Sequence, residues 1–156
     1  MRGMPVQPMS RRGILFLGAA TWTIASAGWP GGVLGAPAEA AAEIARFTGG
    51  KAAETGKIAI DIAELVENGN SVPLFVAIDS AMTPADHVME VLVIADGNPQ
   101  PRVATFRFTP KSGRAEVAAR IRLATTQNLI IVARTNQGKV YTAQKEIKVA
   151  IGGCGG

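Results

Sequence analysis

Three residue types that carry most protein chemistry are nearly missing from this chain: among 156 residues there is one cysteine, one histidine and one tyrosine, and aromatic residues make up 5% of the total. One cysteine cannot close an internal disulfide. One histidine, His87, leaves no cluster of imidazoles for a metal, and no pair of carboxylates is spaced for acid–base work. His87 reads as a loop or strand-edge residue, with a partner contact as the alternative. The glycine pairs Gly31-Gly32 and Gly49-Gly50 lack the lysine spacing of a phosphate loop, although Lys51 follows the second, and they read as linker and cap glycines. Cys154-Gly155-Gly156 is one residue short of a prenylation box. Neither a metal, a nucleotide nor a lipid is therefore indicated as a cofactor.

Long apolar runs are also scarce. The uncharged stretch from Gly13 to Pro30, led by Ile14, Leu15, Phe16 and Leu17, is short for a bilayer span and is broken by Gly28 and Pro30. Preceded by Ser10-Arg11-Arg12 and followed by an Ala-rich segment, it reads as an export signal, and the paired Arg11 and Arg12 point to the twin-arginine route. Cleavage after Ala36 would leave Pro37 first in the mature chain, so Ala36-Pro37-Ala38 before Glu39 is the expected boundary. Residues 1–38 are then a signal peptide, the protein is periplasmic, and no stable membrane insertion remains after cleavage. Removing the signal takes away Arg2, Arg11 and Arg12 and leaves 13 basic against 12 acidic residues. The basic character of the whole chain thus belongs largely to the export segment and is no argument for a nucleic-acid partner.

The one cysteine sits in Gly152-Gly153-Cys154-Gly155-Gly156, the last five residues. Glycine neither shields the sulfur nor restricts the backbone, so residues 152–156 read as a thin, flexible arm that presents a thiol. A cysteine used for packing would have apolar neighbours. No base is placed near the arm, and the carboxylate of Gly156 opposes ionisation, so the thiol is only weakly activated by its own chain.

Residues 39–151 are long enough for one domain with its own core. Glu39 to Phe47 carries Ala40, Ile44 and Phe47 on one stripe if helical, and Gly49-Gly50 stops it. Alternating or β-rich runs follow at Ile58–Ile62, Pro73–Ile78, Val88–Ala95, Val103–Phe108, Ala115–Leu123, Leu129–Arg134, Lys139–Ala143 and Glu146–Ile151. Between them lie turn signals such as Asn68-Gly69-Asn70, Asp96-Gly97-Asn98-Pro99 and Asn136-Gln137-Gly138. The pattern predicts an all-β fold: an immunoglobulin-like two-sheet β-sandwich with a short N-terminal helix and a flexible C-terminal arm. Val117, Ala119, Ile121 and Leu123 should face inward with Glu116, Arg120 and Arg122 outward, and Ile147, Val149 and Ile151 should anchor the final strand in the core up to Ile151. Arg107, Lys111, Arg114, Arg120, Arg122 and Arg134 read as a solvated sheet face; the sharper alternative is guidance of anionic ligands or acidic partners.

The terminal GGCGG, the segments Glu67–Pro73, Met82–Val88 and Val93–Pro99, and the runs Ala104-Thr105-Phe106 and Arg120–Leu123 together resemble the SoxY family, the sulfur-carrier subunits of the bacterial thiosulfate-oxidising Sox system. The resemblance spans essentially the whole mature chain. It implies that Cys154 covalently holds the sulfur substrate, that a second β-protein, SoxZ, forms a heterodimer with the domain, that Sox cytochrome and hydrolase enzymes make transient contacts, and that no other cofactor is used. It also implies a substrate carrier and not an enzyme. A thiolate joined oxidatively to the outer sulfur of thiosulfate fits this expectation. An exported β-sandwich interaction module with a redox-sensitive thiol is the alternative.

Overall fold

The computed structural model describes residues 38–151. Helix α1 (Ala38–Thr48) is followed by eight strands: β1 (Ile58–Asp61), β2 (Leu65–Asn68), β3 (Val72–Ile78), β4 (Val88–Ala95), β5 (Arg102–Arg107), β6 (Ala115–Ile121), β7 (Gln127–Thr135) and β8 (Val140–Ile151). They form a three-stranded sheet in the order β1-β3-β6 and a five-stranded sheet in the order β2-β8-β7-β4-β5. The immunoglobulin-like two-sheet sandwich with one short N-terminal helix is therefore present. Among the described residues no helix is long and apolar enough to cross a membrane.

Side-chain alternation builds the core. From the three-stranded sheet, Val72, Leu74, Val76 and Ile78 of β3 and Val117 and Ile121 of β6 point inward. They meet Val91, Val93 and Ala95 of β4 and Leu129, Ile131 and Ala133 of β7 from the other sheet. The intervening residues Leu92, Ile94, Ile130 and Val132 are equally buried, on the outer face of the five-stranded sheet, against Ala40 and Phe47 of α1. This explains why the middle of β4 and of β7 reads as an unbroken apolar run: both faces of these central strands are covered. The expected helical stripe fits, with Ala40 and Phe47 buried and Ile44 partly so. Two ion pairs flank it, Glu43 to Arg46 at 2.9 Å and Glu43 to Arg102 of β5 at 2.7 Å.

Two features differ from the sequence-based expectation. The separate runs Lys139–Ala143 and Glu146–Ile151 are one continuous strand, β8, because its pairing with β7 runs unbroken through Gln144 and Lys145. Its polar interruption is accommodated by Lys145, whose Nζ donates to the Ile62 carbonyl at 2.9 Å. The second difference is β2, four residues long and paired parallel to β8. Only Val66 of β2 is buried, too little to register as an alternating pattern.

Candidate functional site

The region of interest is the end of the sandwich where β8 runs out toward Cys154. Cys154 itself lies outside the described residues, as do Gly152, Gly153, Gly155 and Gly156 of the expected arm and Arg11 and Arg12 of the expected signal. Ile151, three residues before the thiol, is described. Its backbone is held: it pairs with Asn68 of β2, and its carbonyl accepts a hydrogen bond from Gly69 N at 2.8 Å. The expectation that its side chain also anchors the strand is corrected. Ile151 is 66% exposed, whereas Ile147 is fully buried and Val149 only partly packed. Side-chain anchoring thus fades over the last four residues while backbone pairing continues, because β2 extends the sheet beyond the edge of the core.

A row of backbone hydrogen bonds closes this corner. Gly69, which donates to Ile151, also accepts at its own carbonyl from Leu123 N at 2.9 Å. The chain exit is thereby joined, through the Asn68-Gly69-Asn70 turn, to the segment that follows β6. Asn98 secures the same segment from the other side: its Oδ1 accepts from Ala124 N at 2.8 Å and from Gln127 Nε2 at 3.0 Å, and its Nδ2 donates to the Arg122 carbonyl at 2.9 Å. Gly97 must be glycine for this packing, since a Cβ there would lie 2.9 Å from both Gln127 Cβ and Thr125 Cγ2. Its N–H donates to Gln127 Oε1 at 2.7 Å. Buried Asp96 accepts from Asn128 N and Asn128 Nδ2, both at 2.9 Å, and Thr126 Oγ1 accepts from Val149 N at 3.0 Å. The two turn motifs Asn68–Asn70 and Asp96–Pro99 therefore do more than reverse the chain: together they fix the platform from which β8 exits. Their turn chemistry was legible in the sequence; their convergence on one corner was not.

Met82–Val88, by contrast, lies at the start of β4, the opposite end of the strands. His87 is half-buried there; its Nδ1–H donates to the Thr83 carbonyl at 3.0 Å and its backbone N–H to Asn136 Oδ1 at 3.0 Å. It is a loop residue, as expected. Among the described residues no group of three or more His, Cys, Asp or Glu could hold a metal.

The six basic residues do not form one face, which corrects the reading of a shared solvated sheet. Arg107 and Arg134 converge on Glu90, Arg107 Nε donating to Oε1 at 2.9 Å and Arg134 donating to Oε2. The hydrogen bond from Arg107 leads in holding the Glu90 carboxyl below its ordinary range, with Arg134 adding to it against the cost of burial. Arg114 pairs with Glu116 at 3.0 Å, and Lys111 sits in the short 3-10 turn after β5. All four lie away from the chain exit, and only Arg120 and Arg122 are near it.

An open groove of about 620 Å³ lies beside Arg120, lined by Asp61, Pro73, Phe75 and Ala118 among others, where β1 leaves the edge of β3. Phe75 is 40% exposed on its floor.

Fold and corner together define an immunoglobulin-like β-sandwich domain that delivers the chain beyond β8 from a rigid end of the sandwich. A family model described as sulfur oxidation protein SoxY matches residues 44–154, and the chain belongs to the SoxY family. The structure of the sulfur carrier protein SoxY from Chlorobium limicola f thiosulfatophilum is similar, with 32% identity and a TM-score of 0.61, covering 72% of this chain and 97% of that one. The superoxide reductase (neelaredoxin) of Ignicoccus hospitalis, at 19% identity and a TM-score of 0.54 over 60% of this chain and 80% of that one, shares the fold alone. No curated protein sequence matches the chain.

Proposed function

We propose that this chain is a periplasmic sulfur carrier that holds thiosulfate-derived intermediates on Cys154 and presents them to the enzymes of the Sox system. The observation that carries this reading is the extent of the family match, which runs to residue 154, the cysteine itself. The rigid corner supports it: with Ile151 pinned through its backbone, the three residues to Cys154 give the thiol a reach of at most about 10 Å without loss of the β2–β8 pairing. The chemistry balances when the redox and hydrolytic work is assigned to partners. The Cys154 thiolate and thiosulfate combine as Cys–S⁻ + S₂O₃²⁻ → Cys–S–S–SO₃⁻ + 2 e⁻, the electrons passing to a cytochrome. A hydrolase then converts Cys–S–S–SO₃⁻ + H₂O to Cys–S–S⁻ + SO₄²⁻ + 2 H⁺. The carrier contributes a thiol and its presentation, no catalytic base and no cofactor beyond the covalently bound sulfur. In a reconstituted Sox system, Cys154→Ser is expected to abolish thiosulfate oxidation with the fold intact; wild-type rates from the serine variant would end the carrier reading.

The same reading assigns SoxZ as a stable heterodimeric partner. Apolar surface outside the domain's own core supports this, with Phe75, Met89 and Leu65 respectively 40%, 39% and 66% exposed, as do the sheet edges at β1 and β6 that pair with no further strand among the described residues.

A further inference from the structure

Arg120 and Arg122 are two cations close to the exit corner, where Lys148 of β8 is a third, and among the described residues no carboxylate neutralises either arginine. Both are exposed and lie on the same outward side of the β6 segment, alternating with buried Ile121 and Leu123. Among the described residues neither has a carboxylate within ion-pair distance; Arg120 reaches only Ser71 Oγ, at 3.4 Å. The other arginines of the sheets, Arg102, Arg107, Arg114 and Arg134, are all paired with glutamates. The carboxylate nearest in sequence to this corner's turns, Asp96, is buried and occupied by Asn128; Glu67 and Asp61 are exposed, and Asp61 borders the groove beside Arg120.

The backbone beneath Arg122 is unusually well held for a residue just past the end of a strand. Its carbonyl is tied to Asn98 Nδ2, the next residue's N–H to the Gly69 carbonyl, and the N–H after that to Asn98 Oδ1. Gly69 is also the residue that pins Ile151. Gly69 thus bridges Ile151 and Leu123 through two hydrogen bonds, of 2.8 and 2.9 Å, and with the span of a single residue between them this puts the backbone next to Arg122 within about 10 Å of the Ile151 carbonyl. Three residues of chain separate Cys154 from Ile151 and span at most about 10 Å. Arg122, the residue before Leu123, therefore lies at about the distance this segment can span, with the lengths of both side chains in addition, and Arg120, two residues back on the same side, is about 7 Å further along the strand.

We propose that Arg120 and Arg122 form an anion-holding pair for the sulfonate end of the cargo carried on Cys154. The proposal rests on the carrier reading and names what that reading lacks, a place for the cargo's charge between enzyme visits. The Cys–S–S–SO₃⁻ adduct ends in a sulfonate, an anion that two neighbouring unpaired cations attract through their charge. The free thiol has no such group, so the pair distinguishes loaded from empty carrier. It would also draw oxyanions toward the thiolate, as unpaired cations beside a reactive group do.

Tetrathionate tests this without any Sox enzyme. It reacts as Cys–S⁻ + S₄O₆²⁻ → Cys–S–S–SO₃⁻ + S₂O₃²⁻, giving the same adduct from a dianionic reagent, while iodoacetamide alkylates the same thiolate as a neutral reagent. The ratio of the two rates cancels changes in thiol ionisation. On the full-length mature protein, Arg120→Gln with Arg122→Gln should lower the tetrathionate-to-iodoacetamide ratio about 3- to 5-fold at low ionic strength, with the difference fading in about 0.5 M salt. The double lysine variant should retain most of the wild-type ratio. An unchanged ratio in the glutamine variant, its fold verified by circular dichroism, overturns the proposal. A drop that persists in high salt, or one shared by the lysine variant, overturns it as well, because neither is electrostatic. Loading by Sox enzymes is measured separately: wild-type protein that acquires no thiosulfate-derived mass contradicts the carrier reading, whereas a loaded wild type with an unchanged rate ratio contradicts the arginine pair alone.

Discussion

Replacing Phe47 by alanine should show whether helix α1 is a working layer of the fold. An isolated helix of 11 residues is marginal in water, so α1 depends on docking. Phe47 is its largest buried side chain, 9% exposed, packed with Leu92, Ile94, Ile130, Val132 and Val140 on the outer face of the five-stranded sheet. The Arg134 guanidinium lies 5.3 Å from its ring centroid. Core Phe→Ala changes cost about 3–5 kcal/mol, set by how far the surroundings can collapse. Here the helix can settle toward the sheet, which argues for the lower end, and loss of the cation–π contact adds about 0.5–1 kcal/mol. The expected cost is then about 3–4 kcal/mol, a fall in Tm of roughly 10–20 °C for a domain of this size. Thermal unfolding followed by circular dichroism measures it. The inner core between the sheets is untouched, so protein folded at 25 °C should still react normally at Cys154. A loss below about 1 kcal/mol would refute the idea that the helix seals the sheet.

Two further substitutions separate other parts of the account. Glu90→Gln should cost about 1 kcal/mol at pH 7, because Arg107 and Arg134 are both partly exposed and solvent screens them. Since the Glu90 pKa is lowered in the folded state, its contribution is complete above the ordinary value of 4.5 and disappears as the pH falls through the lowered one. The gap between wild type and variant in urea melts should therefore close in acid; a constant gap would show that the charge is irrelevant. Phe75→Glu, in the open groove, should leave Tm nearly unchanged and reduce co-purification of SoxZ from cells making both proteins, whereas full retention of the partner would remove this groove from the interface.

Much of the scaffold was legible because its physics is local. The stripe Ala40, Ile44, Phe47 and the run Val88–Ala95 appear as read, the latter to the residue. Turn residues marked most strand ends. What stayed hidden depends on distant partners. Leu65–Asn68 becomes a strand only because β8 is there to pair with it, and one buried valine leaves no alternation to detect. Ile151 looks like an anchoring residue by period, but the period says nothing about where the opposite sheet stops. The basic residues seemed to belong together because sequence shows charge without position; Glu90 and Glu116 claim three of them, and the topology carries Arg120 and Arg122 to the exit corner. The thiol was singled out by its glycine frame, a chemical signal that needs no fold, and lies outside the described residues, whereas the role of Asn98 as a two-sided clamp became apparent only once β4, β6 and β7 were assembled.

The most direct test of covalent carriage is the intact mass of the protein recovered from cells grown with and without thiosulfate, with Cys154→Ser as the control. Growth on thiosulfate should give wild-type protein bearing sulfur-containing adducts that a thiol reductant removes, and none on the serine variant. Wild-type protein of unmodified mass under active thiosulfate oxidation, or adducts that persist on the serine variant, would contradict the assignment of Cys154 as the carrier.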